Sequence, residues 1–110
     1  MQNPREVAGL FYKSLVDGDK ATWISTLKPD YQKSAERRGS SPYFWWETGR
    51  RYAEKYGVYY EFSHEADTGD PNRKKYFFKR KNPDGTDRGL PVPIYVIKIG
   101  DEWYVDQASI

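Results

Sequence analysis

The sequence predicts an α+β domain, with three N-terminal helices packed on a curved, four-stranded antiparallel sheet. Three observations carry this. Apolar residues recur at helical spacing as far as Gly57, the period changes to two from Val58 onward, and turn residues separate the alternating segments.

The first helix has signals at both ends. Asn3 can cap it, Pro4 suits its first position, and Glu6 stands three residues after Asn3, as in a capping box. Val7, Leu10, Phe11, Ser14 and Leu15 then form one narrow buried stripe. Gly18 supplies a left-handed exit, and Asp19 caps a short second helix with Ala21, Ile24 and Leu27 inward, ended by Pro29. Residues 30–41, DYQKSAERRGSS, are polar and hold a short strand at most. A third helix runs from Pro42, capped by Ser41, to Gly57 and turns Trp45, Gly49, Tyr52 and Tyr56 inward. A mid-helix glycine costs about 1 kcal/mol against alanine, so close packing or a pocket rim is expected at Gly49. Four strands follow at 58–67, 73–81, 92–99 and 102–110, joined by TGDPN, by NPDGTDRGLP and by a tight Gly100-Asp101 hairpin.

Composition narrows the function classes. The 110 residues read as a single domain over 1–110, and with 37% hydrophobic and 17% aromatic residues its core must be built largely from rings. A net charge of +2, from 18 basic and 16 acidic side chains, argues against a dedicated nucleic-acid or membrane-surface binder. No cysteine is present, which excludes disulfides, thiolate metal sites and cysteine nucleophiles together. The apolar runs are too short to insert in a membrane. MQNPREV passes almost directly into a helix and reads as no signal peptide. A domain trimmed from a longer envelope protein, its signal or anchor removed, stays open.

The helix-break-helix FYKSLVDGDKATWISTL and the closing hairpin IKIGDEWYVD resemble small bacterial domains of the nuclear transport factor 2-like superfamily, a cystatin-like cone of helices against a curved sheet. By element order the resemblance covers nearly the whole chain. It implies a fold rather than a function, because the superfamily hosts enzymes, binders and scaffolds, and it implies dimerisation through the sheet. The superfamily's ketosteroid isomerases carry a tyrosine seven residues before the helix-breaking glycine; counting back from Gly18 gives Phe11, with Tyr12 turned about 100° away. Only Glu36 lies where their base would fall.

Strand pairing across TGDPN places Glu61 opposite Lys79, Ser63 opposite Phe77 and Glu65 opposite Lys75 on one sheet face. Such pairs, at about 0.2–1 kcal/mol each, neutralise the basic run RKKYFFKRK and make nucleic-acid binding through residues 73–81 the lesser alternative. His64, the single histidine, then sits beside Tyr76 on the concave face, with Phe62 opposite Phe78 and Tyr60 opposite Arg80. A small isomerase- or dehydratase-like enzyme using His64 is the other alternative, although no acid partner lies within hydrogen-bonding reach. No metal or cofactor motif is present, and DPN and NPDGTD lack the ligands of a calcium loop.

The expectation is therefore a non-catalytic binding or scaffolding domain, with a pocket for a small apolar molecule among Trp45, Tyr52, Tyr60, His64, Tyr76 and Tyr95. A two-residue turn at Gly100-Asp101 pairs Lys98 with Trp103, Val96 with Val105 and Ile94 with Gln107; the longer loop sets Phe77 beside Val96. Phe77, Ile94, Val96, Trp103 and Val105 then form an apolar stripe on the convex face, expected to bury against a second copy or a parent protein. Tyr104, Asp106, Ala108 and Ile97 point into the cone. A one-residue shift of the last strand instead sends Trp103 and Val105 inward.

Overall fold

The amides of Arg5 and Glu6 donate to the Asn3 side chain at 3.0 and 3.2 Å, and Pro4 begins α1 (Pro4–Asp17) as its cap demands. The computed structural model describes residues 3–110. Gly18 exits α1 at φ 75°, and Asp19 caps α2 (Lys20–Ser25) by accepting from the Thr22 amide. A third, unexpected helix follows. Pro29 opens α3 (Pro29–Ser34) within the segment read as polar connection, so the helices number four rather than three among the described residues. The long helix α4 (Ser41–Tyr56) starts one residue early, with Ser40 as its cap. The strands β1 (Tyr59–Ala66), β2 (Arg73–Lys81), β3 (Val92–Ile99) and β4 (Glu102–Ala108) form one antiparallel sheet in the order 1-2-3-4.

The extended stretch expected after Pro29 lies before it. Leu27 bridges Val105 in parallel: the Lys28 amide donates to the Val105 carbonyl at 3.0 Å, and the Val105 amide to the Thr26 carbonyl at 2.7 Å. This covers part of the β4 edge, where bare peptide groups would otherwise invite pairing with another chain. Lys28 then reaches Asp106 at 2.5 Å, Arg73 approaches the same carboxylate at 3.5 Å, and the Asp106 contact raises the Lys28 pKa.

Helix α1 lies across the sheet and touches all four strands. Its buried face is wider than the predicted stripe, because Ala8 and Tyr12 join Val7, Phe11, Ser14 and Leu15. Gly49 explains itself at the α1–α4 crossing: a Cβ there would stand 2.7 Å from Leu15 Cγ, far inside van der Waals contact. Arg50, one residue on, donates to the Leu15 and Val16 carbonyls at 3.0 and 2.7 Å and so satisfies the C-terminal end of α1.

The sheet's inner face requires one correction. Lys98 does pair with Trp103 and Val96 with Val105, but Val96, Trp103 and Val105 face the helices. Ile94, Val96 and Val105 are fully buried, Trp103 is nearly so, and all four belong to the core. The convex stripe they were expected to form is absent, and of its five members only Phe77 lies on the outer face. The cause is the register between β2 and β3. Tyr76 pairs with Ile94 and Phe77 with Pro93, so Val96 faces Lys74 rather than Phe77. That odd-numbered offset moves every β3 side chain to the opposite face. Burying Ile94 and Val96 with Tyr76 and Phe78 is the stabilising choice, at about 1.5–3 kcal/mol for each large apolar side chain removed from water. Ile97, Tyr104 and Asp106 accordingly lie outward, and a bulge after Tyr95 returns Ala108 to the core opposite Ile94.

Candidate functional site

Aromatic rings fill the cone. Phe11 packs edge-on to Tyr12 and Trp45 with centroids 5.1 and 6.1 Å away, and tilts against Trp23 at 5.6 Å. Tyr31 closes on Trp45 at 5.4 Å, and Tyr76 and Phe78 hold Phe62 between them. Two of the expected pocket residues, Trp45 and Tyr76, are thus core packing, exposed by only 7% and 3%.

The open space lies to one side. A cleft of about 290 Å³ runs between the C-terminal half of α1 and the start of β1, lined by Tyr12, Lys13, Val16, Asp17, Tyr59 and Tyr60. Two rings form its inner wall, Tyr12 and Tyr60, stacked with centroids 4.3 Å apart and 19° between planes. Lys13 and Asp17 pair across one helical turn at 2.8 Å and set a charged rim. Among the six expected pocket residues, only Tyr60 lines this cleft.

The stacked tyrosines are bonded differently. The Tyr12 hydroxyl donates to the Ser109 carbonyl at 2.8 Å, whereas the Tyr60 hydroxyl is buried with no hydrogen-bond partner. Burial pushes the pKa of both hydroxyls up; Tyr60 adds to the effect on Tyr12, and Arg80 opposes it at both. Arg80 is the cross-strand partner of Tyr60 and leaves its own Nε buried and unpartnered. Tyr52, from α4, does not line the cleft; its ring lies 6.4 Å from Tyr56, with the Arg88 guanidinium 5.8 Å from its centre.

His64 and Tyr95 are not on the inner face. The expected pairing holds from Tyr60 to Phe62, but a bulge then skips Ser63 and places His64 opposite Phe77. The imidazole stacks on the Phe77 ring at 4.7 Å and 14°, exposed to solvent, with Nδ1 2.8 Å from the Ser63 hydroxyl. Its pairing with Tyr76, on which the enzyme alternative rested, does not exist. Tyr95 alternates with the buried Ile94 and Val96 and lies outward, with the Arg73 guanidinium 4.0 Å and the Lys75 ammonium 5.2 Å from its ring centre. The same bulge sets Glu65 against Tyr76, so only Glu61–Lys79 remains of the two charge pairs expected across the basic run.

Sequence reasoning missed Tyr12 as a wall of the cleft. The signal was its position one residue from Phe11: α1 buries a broad face against a sheet that curves around it, so both residues turn inward.

No protein-family model matches the chain, nor does any curated protein match its sequence. Solved structures do match its shape. One, a protein of unknown function with a cystatin-like fold from Nostoc punctiforme, superposes with a TM-score of 0.60 at 16% identity over 92% of this chain and 81% of that one. A candidate polyketide cyclase from Sinorhizobium meliloti gives 0.55 at 12% identity, over 92% and 94%. Four helices, an open antiparallel sheet and the first of these likenesses agree: the chain has a cystatin-like fold, helices packed on a curved sheet.

Proposed function

We propose that this chain is a non-catalytic binding domain that holds a small apolar or aromatic molecule between α1 and β1. The cleft carries this reading. Its volume of about 290 Å³ falls just under the roughly 300–1,000 Å³ range of ligand sites, which suits a molecule no larger than one ring system. Its walls are tyrosine rings, which offer broad apolar faces at low entropic cost. The candidate polyketide cyclase shares only the fold at its level of identity and lends no activity to this chain.

The test is a titration of isotopically labelled protein with benzyl alcohol, followed by amide chemical shifts. Shifts should centre on Val16, Tyr59 and Tyr60. Val16→Trp, which fills the cleft from the half-buried side of α1, should remove them while the rest of the spectrum keeps its dispersion. Shifts located elsewhere, or unchanged in Val16→Trp, would reject the cleft as the site.

A further inference from the structure

The basic run of residues 73–81 forms β2, and its odd-numbered side chains lie on the outer face, away from the cleft. The carboxylates expected to neutralise it are only partly there. The bulge at Ser63 leaves Lys75 opposite Ala66, with Tyr95 on its other side, and moves Glu65 to Tyr76. Salt bridges occur at the two ends of the strand, Arg73 with Asp106 at 3.5 Å and Lys81 with Asp87 at 2.7 Å. Asp106 is shared, because Lys28 holds it as well. Between those ends Lys75 and Lys79 make no salt bridge with a described carboxylate, although Glu61 stands opposite Lys79. Rings interleave with these charges. His64 lies parallel on Phe77, with 4.7 Å between centroids and 14° between planes, and the Arg73 guanidinium carbon stands 4.0 Å from the Tyr95 ring centre. The Lys75 ammonium lies between the two stacks, 5.0 Å from the Phe77 centre and 5.2 Å from that of Tyr95. His64 is exposed, and Lys75, Phe77 and Tyr95 are half-buried.

Taken singly, these are ordinary surface contacts. Together they set one cation between two flat stacking surfaces, and a nucleic-acid strand sets one phosphate between two bases. Bases stack on aromatic rings and on guanidinium planes alike, while lysines along the same groove follow the backbone. We propose that the outer face of β2 and β3 binds single-stranded nucleic acid, bases on the His64–Phe77 and Arg73–Tyr95 stacks and the intervening phosphate on Lys75. Lys79, about 14 Å farther along β2, extends the positive track. A duplex offers the phosphates but keeps its bases stacked on one another, and an acidic peptide offers charge without planar rings. Only a single strand uses both features. The chain's net charge is only +2, so stacking has to carry as much of the affinity as charge does. Nothing in this inference depends on the cleft.

Fluorescence anisotropy of a fluorescein-labelled oligothymidylate of twelve nucleotides tests it at 50 and 200 mM salt. Binding at 50 mM should have a dissociation constant on the order of 10 μM. With Arg73, Lys75 and Lys79 each neutralising one phosphate, it should weaken roughly twentyfold at 200 mM. Lys75→Gln should lower the salt slope by about 0.7, the share of one phosphate on a single strand. Tyr95→Leu keeps apolar bulk but removes a stacking face; it should weaken binding roughly tenfold and leave the salt slope unchanged. Absence of binding at 50 mM, or affinities equal to wild type in both variants, would overturn the proposal. So would polyglutamate that displaces the probe as well as unlabelled oligothymidylate does, since charge alone would then account for binding. A duplex of the same length bound as tightly as the single strand would overturn it too. These last comparisons use the wild-type chain and stand whether or not Tyr95→Leu folds.

Discussion

Across β3 and β4 the inner sheet face meets α1 with Val92, Ile94, Val96 and Val105, carbon against carbon, while at the β1–β2 end the same face carries Tyr60 and Arg80 beneath Tyr12. Those four side chains have no polar atom to satisfy and are held by packing. The second stacks rings, buries two hydroxyls and the Arg80 Nε, and leaves the Tyr60 hydroxyl and that Nε without acceptors. One fold thus separates two tasks. The aliphatic half supplies stability through packing, whereas the aromatic half leaves buried donors unsatisfied, which is the cost the proposed ligand site would offset.

The sharpest way to break this contrast is to hollow the aliphatic half. Ile94 is fully buried between β2 and β4, so Ile94→Ala should cost about 2–5 kcal/mol, the lost transfer energy plus the cavity left behind. Urea unfolding would measure it. A loss below about 1 kcal/mol would mean that the core collapses around the gap and is less rigid than its packing implies.

The stacked tyrosines give a smaller, paired effect. Tyr12→Phe removes the hydrogen bond to the Ser109 carbonyl and should cost about 1 kcal/mol. Tyr60→Phe removes a hydroxyl that bonds to nothing described and should be neutral or slightly stabilising. Equal losses in the two variants would erase the distinction between a structural and a functional tyrosine.

Alkali tests the same pair without mutation. Both hydroxyls titrate above the ordinary tyrosine value of 10.0 because burial disfavours the phenolate. The unfolded chain therefore releases these protons first, and it binds fewer protons than the folded chain once pH exceeds about 10. Stability should be flat in these groups below that point and fall as pH rises above it. In an absorbance titration Tyr12 and Tyr60 should stay silent until the chain unfolds. Full ionisation of all ten tyrosines with the far-ultraviolet spectrum unchanged would refute the burial on which the comparison depends.

The outer face should matter least to the fold and to the cleft. His64→Ala removes a stack on Phe77 at an exposed position and should cost about 0.2–1 kcal/mol, without changing the binding of an aromatic probe in the cleft. Loss of probe binding would tie the outer face to the site after all.

Much of the architecture was legible because its signals are local. Asn3 and Asp19 cap helices through amides two or three residues away, and Gly18 and Gly57 end helices at φ 75° and 64°. The pairing of Tyr60 with Arg80, and of Lys98 with Trp103, could be counted outward from short turns. The candidate site was legible only in part. Tyr60 was in view, while Tyr12 was set aside for its neighbour Phe11, and Arg80 gave no signal because nothing in a strand's sequence marks an arginine whose Nε is buried.

The sequence alone determined the α+β class, the limits of most elements, the absence of thiol chemistry and an aromatic core, because each follows from composition or from interactions within a few residues. Tertiary structure decided which face of β3 and β4 is buried. Both faces offer apolar side chains, Ile94 and Val96 on one and Tyr95 and Ile97 on the other, so a period of two cannot choose between them. The loop at 82–91 is too long to fix register by turn geometry, and the choice falls to packing of Ile94 and Val96 under α1. Tertiary structure likewise set the bulge that turns His64 outward and the offset of α1 from β1 that opens the cleft. Register and cleft alike depend on contacts between residues far apart in the chain, which no short stretch of sequence encodes.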